Sequence, residues 1–583
     1  MEIYKKRLGL LRENMRKNQI DICVILNSDT HLNEYLPEHY QAIKWLCGFD
    51  GSAGTLVVTH DYAGLWTDGR YFEQALRQLP SDVMLEKQSA TQNYKQQLAK
   101  LSGKIGIDFS ILPFAAYKEL CALLNPDSLV DCDCVGEIWD ERPERVANAI
   151  YAHNPDIARD ISRAQKLHDV RAKMQQMGVE WHFISSLDDI AWITNLRGSD
   201  ILYNPVFFAF LLLSKNEAQL FLNIESLPQS LQKELHQDGF ELLPYKSAQD
   251  ALCTLKEKRV LVDRITARAA KTLQQNANKL LEELAPSTLQ KACKSEAVVA
   301  QIQNAMIRDG IALCRFFAWL EGALLGEALD ECDIDTHLTA FRAEMEHYVG
   351  NSFATIAGFG ANGALPHYQA KRGACAKLVG DNLLLLDSGA QYLDGTTDIT
   401  RVVPVGEPSE AQRRDYTLVL QAHIAIAQAR FPDKIAMPLL DSIARAPLWQ
   451  QGLDYAHGTG HGVGYFLNVH EGPQSLSLNA PISPRTRVHA GMVTSIEPGI
   501  YREGQWGIRL ENLVVAVPSA HAGFLEFVPL TLCPFEPRLI VRAMLTQAQK
   551  EWLNAYHVRV WELLAPHLSG DVRGWLEKRT SPI

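Results

Sequence analysis

Five side chains able to ligate a hard cation lie in one ordered set within residues 367–511. Asp387 ends the apolar run Leu383–Leu386, and a carboxylate at the end of a buried strand is costly unless it is paired or bound to metal. Asp398 follows eleven residues later in Gly395-Thr396-Thr397-Asp398. If Ser388–Gly395 closes a hairpin, the two carboxylates face each other on adjacent strands. His461 stands in His457-Gly458-Thr459-Gly460-His461-Gly462-Val463-Gly464, where glycines let the backbone approach a crowded centre. Glu497 ends the strand Val493–Ile496 and is locked by Pro498-Gly499, and Glu511 lies in Ile508-Arg509-Leu510-Glu511-Asn512 on another apolar strand. Four carboxylates and one imidazole suit two divalent ions such as Mn²⁺ or Co²⁺ better than a structural zinc, which favours sulfur. Two ions ~3.5–4 Å apart need bridging carboxylates between them and terminal ligands outside.

The elements that must position this set begin at Lys294. Ser295–Leu325 has the spacing of one or two long helices, with Ser295 as cap and Glu296 in the first turn. Short, Gly-bounded apolar strands follow at Leu383–Asp387, Thr397–Val403, Val493–Glu497 and Ile508–Val517. That order predicts an α+β domain on an antiparallel sheet. The tail Leu545–Lys578 reads as helical, and its segment Trp552–Leu564 carries an apolar stripe that must be covered, within the chain or by a second copy. The expectation is a homodimer.

Upstream runs a faint tandem repeat. Helix Arg7–Arg16, strand Ile20–Leu26 and the hairpin strands Gly54–Thr59 and Ala63–Thr67 are echoed by helix Ile161–Met174, strand Val179–Ile184 and the hairpin strands Phe207–Leu213 and Ala218–Asn223. Two copies of a helix–strand–hairpin unit predict two similar α/β domains, 1–150 and 151–290, before a third at 291–583. The joint is polar and turn-prone at Ala152-His153-Asn154-Pro155.

Composition narrows the class. The chain has 583 residues, 57 Lys plus Arg against 68 Asp plus Glu, a net charge of −11, and an apolar fraction of 47%. Those values exclude a disordered chain and a nucleic-acid binder working by bulk positive charge. Apolar stretches such as Val206–Leu213 are far below the ~20 residues of a membrane span, and Met1–Leu11 has no secretory core. Eleven scattered cysteines without a C-x-x-C pair predict reduced thiols in a cytoplasmic enzyme. Gly358–Gly363 spells G-x-G-x-x-G, but Pro366 disfavours the helix a dinucleotide fingerprint needs. No Walker lysine follows the glycines of 457–464, and no G-x-S-x-G elbow supports a serine triad.

The motifs Leu386-Asp387-Ser388-Gly389-Ala390, Asp394-Gly395-Thr396-Thr397-Asp398, His457–Gly464, Asn468-Val469-His470-Glu471-Gly472-Pro473, Glu497-Pro498-Gly499-Ile500-Tyr501 and Arg509-Leu510-Glu511-Asn512 resemble the pita-bread metallopeptidases. More narrowly they resemble the three-domain aminopeptidase P type. Gly48–Gly54, Trp66–Phe72, Ile138-Trp139 and Asn195–Asp200 extend the resemblance into the N-terminal half. It implies two related creatinase-like α/β domains followed by a pita-bread catalytic domain. It also implies Asp387 as terminal ligand of one ion, His461 and Glu497 mainly on the other, and Asp398 and Glu511 bridging, with Mn²⁺ the expected metal. His367 and His470 would contact substrate and handle protons, His457 would line the same pocket, and Arg70 would reach the bound peptide. The chain departs from its relatives at Leu202-Tyr203 and Pro366, which bears on substrate preference and not on the metals.

The implied activity is hydrolysis of the N-terminal Xaa-Pro bond of proline-containing peptides by a hydroxide bridging two ions, with no nucleic-acid or membrane partner. Glu497 would move the proton to the leaving nitrogen, and a histidine would hydrogen-bond the developing oxyanion. A prolidase-like dipeptidase and a non-catalytic peptide-binding relative are the alternatives. The complete ligand set speaks against the metal-free creatinase branch. His31, His39, His60, His153, His168, His182 and His236 read as solvated surface groups.

Overall fold

A computed structural model describes residues 2–89, 91–153, 156–157, 161–326 and 328–583. Of the expected joint, Asn154 and Pro155 lie outside them. The chain forms two compact units. One comprises Met1–Ala152, Ile161–Leu202 and Val206–Ser287, the other His153–Asp160, Tyr203–Pro205 and Thr288–Ile583.

The N-terminal unit carries the repeat as two six-stranded sheets of identical topology. In the first, the order is Met84–Lys87, Ala63–Thr67, Thr55–Val58, Ile22–Leu26, Ile105–Ile107, Leu129–Asp131. In the second it is Glu241–Pro244, Ala218–Leu222, Ala209–Ser214, Trp181–Ile184, Arg259–Val262, Lys279–Glu282. Parallel and antiparallel pairings fall at the same places in both. The preceding helices repeat too. Glu2–Lys17 buries Leu8, Leu11 and Met15, and Arg163–Met177 buries Leu167, Val170 and Met174, the same 3-then-4 spacing on one face. The two domains dock through a backbone exchange, Phe114 N to Ile265 O at 2.9 Å and Ala267 N to Leu112 O at 2.7 Å.

Three histidines expected at the surface are inside: His31, His153 and His182 are all buried. Each ring satisfies a backbone carbonyl, His31 that of Ser185, His153 that of Leu393 and His182 that of Leu261. A polar loop sequence cannot reveal such a partner.

In the C-terminal unit Ser295 accepts from Val298 N and opens one unbroken helix, Glu296–Ala323. Strands Ile356–Phe359, Asn382–Ser388 and Ile399–Val405 form one antiparallel sheet. A second, six-stranded antiparallel sheet includes Gly460–Gly462, Val493–Ile496 and Asn512–Pro518. The strand expected over Ile508–Val517 is two. Trp506–Arg509 pairs with Gly499–Arg502 in a separate ribbon, and the chain crosses into the larger sheet at Leu510-Glu511. The tail helix Gln547–Leu564 buries Leu553, Tyr556, Val560 and Leu564 in a core shared with Leu532, Phe535 and Leu539. That stripe is covered within the chain, which removes the reason for expecting a homodimer. No helix among the described residues is long and apolar enough to cross a membrane.

Candidate metal centre

Two of the carboxylates sit where one β-ladder hands over to another. Ile496↔Asn512 in the large sheet and Gly499↔Arg509 in the ribbon belong to one register, so Glu497 stands opposite Glu511 in the gap between them. Their amides turn elsewhere, Glu497 N to Thr459 O at 2.8 Å and Glu511 N to Thr400 O at 3.1 Å. The hairpin over 382–405 likewise keeps one register from Asp387↔Thr400 through Gln391↔Thr396. This sets Gly389, not Asp387, opposite Asp398. The two aspartates are diagonal neighbours on one face instead of the directly facing pair expected. A Cβ at Gly389 would stand 2.1 Å from Thr397 O, so the position opposite Asp398 must be bare.

His461 lies on a strand pressed between neighbours. A Cβ at Gly460 would meet Ser495 O at 1.8 Å, and one at Gly462 would meet Glu471 O at 2.2 Å. Its Nδ1 is 2.9 Å from Gly462 O. A carbonyl only accepts, so Nδ1 carries the proton and Nε2 of the neutral ring presents a lone pair. That lone pair is 3.5 Å from Asp398 Oδ2 and 3.4 Å from Glu497 Oε1. Ligand atoms of Asp398, His461 and Glu511 all lie within 4.8 Å of one another. Asp387 Oδ2 accepts from Arg509 at 2.5 Å, while its Oδ1 is buried with no hydrogen-bond donor. Leaving such an oxygen bare costs ~1–3 kcal/mol or more.

The electrostatics favour either protons or a cation at this cluster. Burial pushes Asp398 and Glu511 well above the ordinary carboxylate range, and the neighbouring carboxylates push them further. Burial likewise raises Glu497 to about 7 against the opposing pull of Arg509. With Asp387, Asp398, Glu497 and Glu511 ionised, one buried guanidinium leaves three negative charges. Two divalent ions overcompensate these by a single charge, that of one ionised water. The orphaned Asp387 oxygen, the lone pair of His461 Nε2 beside two carboxylates and the oxygen-rich donor set therefore fit a pair of hard divalent cations.

Around this cluster runs a frame that sequence reasoning passed over. Arg509 reaches Asp387, donates from Nε to Thr400 Oγ1 at 3.2 Å, and donates to the Tyr501 hydroxyl at 2.7 Å. Thr400 donates onward to Glu511 Oε2 at 2.8 Å, and Ser495 to Glu497 Oε1 at 3.2 Å. A charged residue between Ile508 and Leu510 was the available signal for Arg509; nothing in the sequence distinguishes Thr400 or Ser495 from other hydroxyls. Arg401, also buried, donates to the Glu511 carbonyl at 2.6 Å, Cys533 O at 2.7 Å and the Tyr556 hydroxyl at 3.1 Å. It thereby ties the tail helix to the backbone of a ligand.

The histidines divide. His457 donates from Nδ1 to Gly458 O at 2.7 Å, and burial together with Arg509 lowers it to about 3. Its neutral Nε2 accepts from Tyr501 at 2.8 Å. Both nitrogens are committed, which suits orientation and not proton exchange. His470 is exposed, its ring edge-on to His461 with centroids 4.3 Å apart. His367 is half-buried on a loop held by Glu331, whose carboxylate accepts from Phe359 N, Asn362, Tyr368 and Ala376 N. Arg70 belongs to the N-terminal unit, where its guanidinium is bidentate to Asp68 at 2.8 Å for both bonds. Its role at a peptide rests on the resemblance alone.

Known proteins resemble this chain along its whole length. The model of metallopeptidase family M24 matches residues 300–518, and that of the C-terminal region of peptidase M24 matches 523–583. Two models of the creatinase/prolidase N-terminal domain match 7–139 and 141–297. A probable Xaa-Pro aminopeptidase P of Laccaria bicolor is 37% identical over 605 residues, covering 99% of this chain and 93% of the relative. The Xaa-Pro aminopeptidase ApepP of Drosophila melanogaster is 37% identical, covering 99% of both. Among solved structures, the X-prolyl aminopeptidase of Caenorhabditis elegans, described as a cytosolic enzyme with a di-nuclear active site, superposes with a TM-score of 0.94 at 31% identity over 100% of both chains.

Proposed function

This chain belongs to metallopeptidase family M24, in the Xaa-Pro aminopeptidase branch with two creatinase/prolidase N-terminal domains, and on that premise we propose that its centre removes the N-terminal residue from peptides with proline in second position. The observation that carries this reading is the convergence of Asp398, His461 and Glu511 beside the orphaned oxygen of Asp387. Asp387 would be the terminal ligand of one ion and His461 and Glu497 would serve mainly the other, with Asp398 and Glu511 shared. All but one of these donors are oxygens, which favours Mn²⁺. When bound, the ions supply Lewis acidity, lowering the pKa of a water toward neutrality and polarising the scissile carbonyl.

The chain's own residues do the rest. Glu497, held by Ser495, takes the proton of the attacking water and passes it to the departing proline nitrogen. That nitrogen has no N–H in the peptide, so the substrate must be held by shape and by groups other than a backbone donor. His470, exposed beside His461, orients it, and His367 hydrogen-bonds the oxygen that gains charge. His457, fixed by Tyr501 and Gly458, keeps Arg509 and its ring neighbours in place. We assign domain limits of 1–150, 151–290 and 291–583. We also assign a cytoplasmic location, as described for the cytosolic X-prolyl aminopeptidase of Caenorhabditis elegans.

The test compares Xaa-Pro-Yaa tripeptides with Xaa-Pro dipeptides, each with and without added Mn²⁺. Metal-dependent release of the first residue from tripeptides, lost in Asp398→Ala, is expected. Full turnover after chelation, or cleavage confined to dipeptides, would overturn the reading.

A further inference from the structure

Beside the backbone exchange that docks the two N-terminal domains, a cleft of about 490 Å³ opens between them. That volume lies in the ~300–1,000 Å³ range of small-molecule sites. Its lining is cationic in a chain whose net charge is −11: Arg142, Arg145, Lys246 and Arg268 against Asp108 and Asp133. Two of the cations are already paired. Arg142 meets Asp133 at 2.6 Å, and Arg268 meets Asp108 at 3.2 Å and Asp131 at 2.8 Å. Among the described residues, neither Arg145 nor Lys246 has a carboxylate partner.

What surrounds Arg145 is neutral and fixed. Its guanidinium carbon is 4.7 Å from the Tyr245 ring centroid and 5.6 Å from that of Phe208, and it leans on the hydroxyls of Tyr40 and Tyr245. Those hydroxyls are committed. His31 Nδ1 donates to Ser185 O at 2.8 Å, and burial lowers His31 to about 4, so its neutral Nε2 accepts the Tyr245 proton at 2.7 Å. Thr30 bridges the two phenol oxygens at 3.3 Å each. Ring faces and phenol oxygens orient a guanidinium but do not cancel its charge, and a half-buried, unneutralised guanidinium favours an incoming anion. The cleft is also lined by the apolar side chains of Phe183, Phe210 and Leu252.

We propose that this interdomain cleft binds a small organic anion, its carboxylate or phosphate head on Arg145 and Lys246 and its apolar body on Phe183, Phe210 and Leu252. Nothing in the peptidase chemistry uses these residues, so the site is independent of the assignment above.

Calorimetric titration of the metal-loaded full-length enzyme tests it with four probes: 3-phenylpropionate, phenyl phosphate, inorganic phosphate (head alone) and 3-phenylpropanol (body alone). One saturable site is expected for at least one of the aryl anions, which also decides between carboxylate and phosphate. Binding should be markedly weaker for the head or body alone. Arg145→Met should raise Kd about 10–100-fold, the value of a charge-assisted bond. Lys246→Gln, an exposed change that cannot threaten folding, should raise it several-fold, and both variants should keep wild-type Xaa-Pro hydrolysis in the absence of probe. The proposal fails if neither aryl anion saturates below about 10 mM. It fails equally if both variants bind as wild type, which would place the anion at the catalytic ions instead.

Discussion

Removing the divalent ions should let Glu497 withdraw stability from the C-terminal unit as pH rises, the reverse of what a carboxylate ordinarily does. In the metal-free fold Glu497 is raised from 4.5 to about 7. The folded state then holds a proton that the unfolded chain has already released. The stabilisation from this proton is complete below the unfolded value of 4.5 and is lost as pH climbs through about 7. The shift corresponds to roughly 3 kcal/mol, or a midpoint several degrees lower at about 2–4 °C per kcal/mol in a large domain. Asp398 and Glu511, raised well above the ordinary carboxylate range by burial and by neighbouring carboxylates, act in the same direction. With ions bound the dependence should invert, because deprotonated ligands bind metal more tightly. Scanning calorimetry of dialysed, metal-free protein from about pH 5 to 8, beside Mn²⁺-loaded protein, reads both slopes. Burial lowers His31, His182 and His457 to about 4, 4 and 3. The unfolded chain therefore binds more protons at these rings up to about 6.5, and they raise stability with pH over the lower half of that window. The difference from Glu497→Gln cancels them. A metal-free slope no more negative than that of metal-free Glu497→Gln over the same range would refute the electrostatic account of the centre.

Three further outcomes follow from the frame around the ligands. Thr400→Val removes the donor to Glu511 Oε2 and the acceptor of Arg509 Nε; metal affinity, read by titrating activity with Mn²⁺, should drop about 10–100-fold while the fold survives. Tyr501→Phe strands Arg509 and His457 Nε2, a loss of ~1–3 kcal/mol that should appear chiefly in kcat, measured on a tripeptide series. Gly460→Ala places a methyl 1.8 Å from Ser495 O; destabilisation of about 1–3 kcal/mol in denaturant titration should accompany loss of bound metal, whereas Gly322→Ala, at a helical glycine with open space around it, should leave metal content unchanged.

The ligand types, their order and their apolar strand contexts were legible in the sequence because a charge at the end of a buried run has few cheap explanations. The tandem repeat was equally legible, since the 3-then-4 spacing of Leu8, Leu11, Met15 and of Leu167, Val170, Met174 is a local pattern that any helix packed on one face must keep. Register was not. Whether Asp398 meets Asp387 or Gly389 depends on where a hairpin turns, and whether Glu497 faces Glu511 depends on two ladders sharing one count across a break. Those are long-range pairings, to which no local propensity speaks. The same holds for Arg401, Arg509 and His31: a sequence shows that a cation or an imidazole exists. Only the folded chain shows which carbonyl, hydroxyl or carboxylate it meets, and therefore whether its burial is a cost or a constraint.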